Sequence, residues 1–387
     1  LSNKQLRIYD KEKYIKVSVD EAIARGYNKW KGWNCYAGLR NLYIDYDGNI
    51  FVCNTAGSKL NRFDKDRWIA FIREQGYSDI SEEEKDRYVN EYNNQKDIYK
   101  RIVKVEENIK GFIGNIFSDL DLPKNHIICP FDHCSCGADV IVSKYKDDIY
   151  LPVTTKGYEG QQEGNFVETI NNNSSVEMNF PIPYQVLWDL TRRCNYNCSY
   201  CWPAVHNKTE SFIEKEIVFN VLDKLIKWSD GKEIRFNFGG GEPTLHPNFL
   251  EILSYLKSKQ QWVLVTSNMS RSLNYWSECS KYINSINMSA HFESIDKNHF
   301  LNVLEIFIDR HNKVNDDHWI EVKLMTPPGK LEAVLEFKKE IEKLELHKNG
   351  ANNRMKGTCS LVPIRGIEDS DNILKYSEKE LEFFQNQ

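Results

Sequence analysis

From Pro183 onward the chain alternates short apolar runs with longer stretches in which apolar residues recur at helical spacing. The runs at 185–190, 233–238, 262–266, 285–291, 319–325 and 358–364 read as strands. Helices are predicted near 211–229, 247–260, 272–282, 296–313, 330–345 and 376–385. Six strand-helix repeats imply a parallel sheet with helices outside, and right-handed crossovers curl it into an α/β fold, a partial (β/α)6 open barrel. Within each strand alternate residues face opposite ways. Ile234, Phe236, Phe238, Ile286, Met288, Val322 and Leu324 form an apolar phase that belongs beneath helices. The other phase is polar: Arg235, Asn237, Asn287, Ser289, His291, Glu321 and Lys323, with Arg365 just beyond the sixth strand. A closed barrel fills its centre with Val, Ile and Leu, so this phase predicts an open lumen that takes a polar ligand. The alternative is that these side chains only satisfy one another. His291 and Lys323 are the candidate substrate contacts.

Ahead of the repeats the pattern is different. Residues 1 to about 30 read as a polar lead-in with a short helical pattern at 19–25. Residues 42–53 read as two short strands joined by Asp47-Gly48, a hairpin signal, with Cys35 before the hairpin and Cys53 at its end. The turn brings these two thiols together. Residues 61–109 carry charged helical periodicity, and a second cysteine group follows, Cys129, Cys134 and Cys136. From Lys156 to Met178 the chain turns to Gly, Gln, Asn and Ser, a linker composition. The expected organisation is therefore a cysteine-rich α+β module at 1–155, a linker at 156–183 and the barrel at 184–387.

Composition narrows the function classes. The 387 residues carry a formal charge of -5 with no basic cluster, which argues against nucleic acid as partner. No apolar run reaches the roughly 18 residues of a membrane helix, so a cytoplasmic protein without a membrane partner is expected. Ten cysteines, eight of them grouped, favour metal or cluster binding over disulfides in such a chain. Cys279 and Cys359 stand apart from the groups and are expected to be small apolar packing residues.

The candidate chemistry centres on Cys194-Asn195-Tyr196-Asn197-Cys198-Ser199-Tyr200-Cys201. Three thiolates at this spacing can hold a cubane iron-sulfur cluster and leave one iron open. A zinc site is the alternative. After the second strand comes Phe238-Gly239-Gly240-Gly241-Glu242-Pro243-Thr244, where glycines permit close backbone approach and Glu242 offers a carboxylate to an ammonium group. The two motifs, one strand-helix unit apart, resemble those of the radical S-adenosylmethionine (SAM) enzymes over residues 184 to about 368.

That resemblance implies a [4Fe-4S] cluster on Cys194, Cys198 and Cys201 and SAM as cofactor. In the family an electron from the cluster cleaves SAM to methionine and a 5'-deoxyadenosyl radical, which abstracts a substrate hydrogen. By the same resemblance Tyr200 packs near the adenine, Gly240, Gly241 and Glu242 hold the methionyl end, and Asn268 and Ser289 contact the methionyl and ribose parts.

The spacing Cys-x12-Gly-x4-Cys at Cys35 and Cys53 is similar to the SPASM and Twitch auxiliary-cluster modules of many family members. This similarity implies one auxiliary [4Fe-4S] cluster on Cys35, Cys53 and two of Cys129, Cys134 and Cys136. A structural zinc is the alternative there. Such modules usually follow the barrel, and here the module precedes it, so a circular permutation is expected. The family also implies an electron donor such as a flavodoxin or ferredoxin. A peptide or protein side chain is the first expectation for the substrate, and a small polar or nucleoside-like metabolite the second. A non-catalytic iron-sulfur or zinc protein is the rival from another class.

Overall fold

The structure is a computed structural model describing residues 184–201, 211–313, 319–347, 356–364 and 376–385, together with short segments before them (5–10, 13–18, 34–35, 41–45, 49–51, 103–104, 127–128, 144–146 and 149–151).

In the first half of the chain the described elements are all strands. They are β1 (Gln5–Asp10), β2 (Lys13–Ser18), β3 (Asn34–Cys35), β4 (Asn41–Ile44), β5 (Asn49–Phe51), β6 (Val103–Lys104), β7 (Ile127–Ile128), β8 (Lys144–Lys146) and β9 (Ile149–Leu151). The expected polar lead-in contains a β-hairpin, in which β1 pairs antiparallel with β2 through Ile8 and Ile15. Alternation in Leu6, Ile8 and Val17, Ile15 carries that hairpin, and the short segments hid it. It belongs to a six-stranded sheet in the order β2-β1-β9-β8-β3-β7, which takes in Cys35 at the end of β3. The expected helix at 19–25, most of the expected helical stretch at 61–109, the linker, and Cys53, Cys129, Cys134 and Cys136 lie outside the described residues, as does Arg365; within that stretch residues 103–104 form the strand β6 beside β5 rather than helix.

The second half follows the predicted alternation closely. Its strands are β10 (Tyr184–Thr191), β11 (Ile234–Gly240), β12 (Trp262–Ser267), β13 (Ser285–His291), β14 (Trp319–Thr326) and β15 (Gly357–Pro363). Between and after them stand α1 (Lys215–Trp228), α2 (Phe249–Ser258), α3 (Leu273–Cys279), α4 (Lys297–Lys313), α5 (Leu331–Lys343) and α6 (Glu378–Gln385). Each strand pairs parallel with the next in sequence order, from β10 to β15. The helices bury one stripe each. In α1 it is Val218, Val221, Leu222 and Leu225, and in α2 Phe249, Ile252, Leu253 and Leu256, the spacing of one helical face. These stripes cover the apolar phase of the strands, and all seven residues assigned to that phase are at most 1% exposed.

The sheet contains a further strand that the alternation does not reveal. β4 lies parallel beside β10, Leu42 opposite Val186 and Ile44 opposite Trp188, so seven parallel strands stand side by side. The hairpin read at 42–53 is present as β4 and β5, and β5 with β6 continues the same nine-stranded open sheet. Leu42 and Ile44 join the core beneath the helices, whereas Asn41 and Tyr43 face the polar side. There Asn41 Nδ2 donates to Gln185 Oε1 at 3.2 Å, and the Tyr43 hydroxyl donates to Asp189 Oδ2 at 2.6 Å. Among the described residues no helix is long and apolar enough to cross a membrane.

Candidate active site

The site lies at the C-terminal ends of β10 to β13, where ligands gather in parallel α/β sheets. β10 runs into the cysteine loop and β11 into the Gly-Gly-Glu turn, and the two are fastened directly. Gly241 N donates to Thr191 O at 2.7 Å, and Glu242 N donates to Arg193 O at 2.7 Å. Glycine is required here by this contact. A Cβ on Gly241 would sit 2.4 Å from Arg193 O and 2.5 Å from Arg192 O. Gly240 adopts φ +103°, a region that side chains rarely enter, and a Cβ there would lie 2.4 Å from Thr191 O. The triple glycine thus seats the cysteine loop on the end of β11.

Glu242 is fully buried. It caps the 3-10 turn Pro243–Leu245, which the sequence pattern did not suggest, and four donors converge on its carboxylate. Oε1 accepts from Thr244 N at 3.1 Å, Thr244 Oγ1 at 2.6 Å and Ser267 Oγ at 2.9 Å, while Oε2 accepts from Asn268 N at 2.8 Å. Burial outweighs these bonds and lifts its pKa above the ordinary value. A cation brought to Oε2 would reverse that cost.

The three cysteines are half-buried, and among the described residues none of them is in a disulfide. Burial raises all three, Cys198 to about 11. Nearby positive charge is what such thiols need to become thiolates. Among the described residues no three His, Cys, Asp or Glu side chains converge as a single metal ion needs. In a cubane each thiolate bonds its own iron, so the donor set fits a cluster better than zinc.

Two strand ends hold the loop in place. From β12, Asn268 Nδ2 donates to Asn195 Oδ1 at 3.0 Å and to Cys194 Sγ at 3.8 Å, and Asn195 Nδ2 donates to Ser270 Oγ at 2.8 Å. From the end of β13, Glu293 accepts from Ser199 N at 2.6 Å and Ser199 Oγ at 2.5 Å. His291 stacks on Tyr200 at 5.9 Å between ring centroids, and its Nδ1 lies 3.0 Å from the Tyr200 hydroxyl. Ser199, Glu293, Asn195 and Ser270 were not legible as site residues. Only Asn268, at a strand end, was among the sequence candidates.

The remaining sequence candidates lie along the polar face. Ser289 is 8% exposed, two residues before His291. It pairs in register with Lys323, whose Nζ is 3.8 Å from Glu321 Oε2. Asn287 Nδ2 donates to Thr266 Oγ1 at 3.3 Å, and the Arg235 guanidinium lies 5.0 Å over the Trp262 ring. The structure therefore brings His291 to the cysteine loop, and it places Lys323 on the polar face two strands beyond Asn268. Of the two isolated cysteines, Cys279 is buried and Cys359 packs half-buried against the core.

Residues 188–375 match the sequence model of the radical SAM superfamily. Over this stretch the chain is similar to the radical SAM superfamily. Among curated relatives, the antilisterial bacteriocin subtilosin biosynthesis protein AlbA of Bacillus subtilis is 32% identical over 26% of this chain and 21% of its own length. The S-adenosylmethionine-dependent nucleotide dehydratase of Selenomonas ruminantium is 32% identical over 24% of this chain and 32% of its own. The alignment thus spans about a fifth to a third of these relatives. A solved structure, native anSMEcpe with bound AdoMet, aligns with TM-score 0.37 and 15% identity over 50% of this chain and 55% of that one.

Within the matched stretch, burial pulls the His291 pKa from 6.5 down to about 4, so its ring is neutral near pH 7. Between those values the unfolded chain binds a proton that the folded one refuses. The stability His291 contributes is present above pH 6.5 and is lost as pH falls through about 4. The urea midpoint of the parent is expected to fall more steeply from pH 7 to 4.5 than that of His291→Asn. Parallel curves would refute this.

Proposed function

We propose that this chain is a radical SAM enzyme that abstracts hydrogen from a peptide or protein side chain. The observation that carries the reading is the fastening of the cysteine loop to the Gly-Gly-Glu turn by two 2.7 Å backbone bonds, which sets three thiols beside a buried carboxylate. When bound, the cluster and SAM together supply a carbon-centred radical able to take hydrogen from an unactivated carbon. Cys194, Cys198 and Cys201 hold the cluster, and Glu242 Oε2, with one N–H on it, receives the methionyl ammonium. Neutral His291 holds Tyr200 through Nδ1 and moves no proton. Asn287 and Lys323 on the polar face orient the substrate, and Ser289 contacts SAM.

The name of the AlbA relative, with bacteriocin biosynthesis in it, favours a peptide. A small polar metabolite is the second reading, favoured by the polar face and by the nucleotide in the name of the dehydratase relative. An auxiliary [4Fe-4S] cluster on Cys35, Cys53 and two of Cys129, Cys134 and Cys136 belongs to the proposal, as does an electron-donor protein; a module bounded at 155 and 184 would lend β4, β5 and β6 to the sheet of the second half.

Anaerobic reconstitution tests it. The parent is expected to bind about eight irons and a Cys194/Cys198/Cys201→Ala variant about four, with 5'-deoxyadenosine formed from SAM and dithionite by the parent alone. About four irons plus zinc in the parent would make the N-terminal cysteines a zinc site. No 5'-deoxyadenosine from the fully loaded parent would sink the enzymatic reading.

A further inference from the structure

We propose that Asn268 sets the reduction potential of the cluster on Cys194, Cys198 and Cys201 through the hydrogen bond from its Nδ2 to the Cys194 sulfur. The inference rests on the reading of the cysteine loop as a cluster site. Asn268 is 5% exposed and every polar atom of its side chain is committed. Its Oδ1 accepts from Ser270 N at 3.0 Å, which leaves Nδ2 facing the loop. There the two amide protons go to Asn195 Oδ1 at 3.0 Å and to Cys194 Sγ at 3.8 Å. Asn195 presents Oδ1 to that N–H, and its own Nδ2 donates to Ser270 Oγ at 2.8 Å. The Asn268 amide is fixed by the Ser270 N–H, which can only donate, since the opposite orientation would set an amide nitrogen against it.

The backbone beneath is held equally firmly. Asn268 N is bound to Glu242, and the next residue, Met269, adopts φ +62°, a conformation that persists in a non-glycine residue only where the surroundings enforce it. They do so here through Met269 O, which accepts from Trp276 Nε1 at 3.3 Å and lies 3.1 Å from His299 Nε2. A rigid turn therefore aims one N–H at one ligand sulfur. Hydrogen bonds to the sulfurs are among the factors that set cluster potentials. The added electron raises the negative charge on the sulfurs, and an N–H dipole favours the reduced form. Asn268 is a positioning residue for this electron, not a ligand, and its removal leaves all three thiols in place.

The test is a redox titration followed by electron paramagnetic resonance on the reconstituted full chain, with iron counted in every sample. Asn268→Ala is expected to raise the oxidised-to-reduced ratio at the parent's midpoint about tenfold, which corresponds to a downward shift of about 59 mV for a one-electron couple. Asn268→Asp keeps the oxygen that accepts from Ser270 but sets a carboxylate against the sulfur, and should shift further in the same direction. Asn195→Ala removes the competing acceptor and leaves the N–H to sulfur, so its midpoint should equal or exceed the parent's.

Fully loaded Asn268 variants with the parent's midpoint would overturn the proposal alone. So would an Asn195→Ala shift as large as that of Asn268→Ala, since loop packing would then set the potential. Loss of the cluster from both Asn268 variants but not from Asn195→Ala would make the residue purely structural. A parent that takes up no cluster on the three cysteines would overturn the underlying reading as well.

Discussion

Glu242→Ala is expected to destabilise the apo-protein by about 3 kcal/mol, because it strands several buried donors at once and each orphan costs about 1–3 kcal/mol. The donors are Thr244 N, Thr244 Oγ1, Ser267 Oγ and Asn268 N, and water entering the vacated space recovers part of their loss. Glu242→Gln keeps the volume and two or three of the bonds, so it should fold nearly as well as the parent. It removes the negative charge, however, and a charge-assisted hydrogen bond of 1.5–3 kcal/mol translates into SAM affinity lowered roughly tenfold to a hundredfold. Urea unfolding and equilibrium dialysis separate the two effects. A Gln variant that binds SAM like the parent would remove Glu242 from the amine site. An Ala variant as stable as the parent would mean that water serves the donors fully.

The second large effect is at Gly241. A methyl group there meets two backbone oxygens at 2.4 and 2.5 Å, and neither can turn aside as a side chain could. Gly241→Ala must therefore part the Gly-Gly-Glu turn from the cysteine loop, breaking the bond from Glu242 N to Arg193 O. The expected cost is about 3 kcal/mol, with iron uptake on the three cysteines lost at ordinary temperature. Gly239→Ala is the control, since its Cβ would meet only Asp189 Oδ1 at an ordinary 3.5 Å. Thermal melts and iron counts on the two variants should diverge widely. If they coincide, the loop is not seated on the glycines.

Much of this arrangement was legible because residues 184–387 are built from repeated local patterns. Strand alternation in Ile234, Phe236 and Phe238 or in Val322 and Leu324 is imposed by a helix layer on one face, and that demand is written residue by residue. The two motifs were equally legible, since thiols and glycines are each tied to a local geometry. β4 was not legible as a barrel strand. Leu42-Tyr43-Ile44 reads as half of a hairpin, which it is, but nothing local specifies that its other edge pairs with Val186 and Trp188. The role of the glycines needed the partner atoms as well. A triple glycine announces a close approach without saying what approaches, and here it is the backbone of Thr191, Arg192 and Arg193. The clamp by Glu293 on Ser199 joins residues 94 apart and left no trace in spacing.

The place of β4 also sets a timetable for synthesis. Asn41 and Gln185, which bond across β4 and β10, are 144 residues apart. At translation speeds of about 5–20 residues per second, β4 leaves the ribosome roughly seven to thirty seconds before the strand it must join. During that interval Leu42 and Ile44 have no helix layer to cover them, and β4 offers an unpaired edge to any other nascent chain. Closing so long a loop is entropically slow, so the edge of the sheet at β10 completes late in folding. Supply of an extended-chain holdase during expression should therefore raise the soluble yield of this protein more than slower growth does.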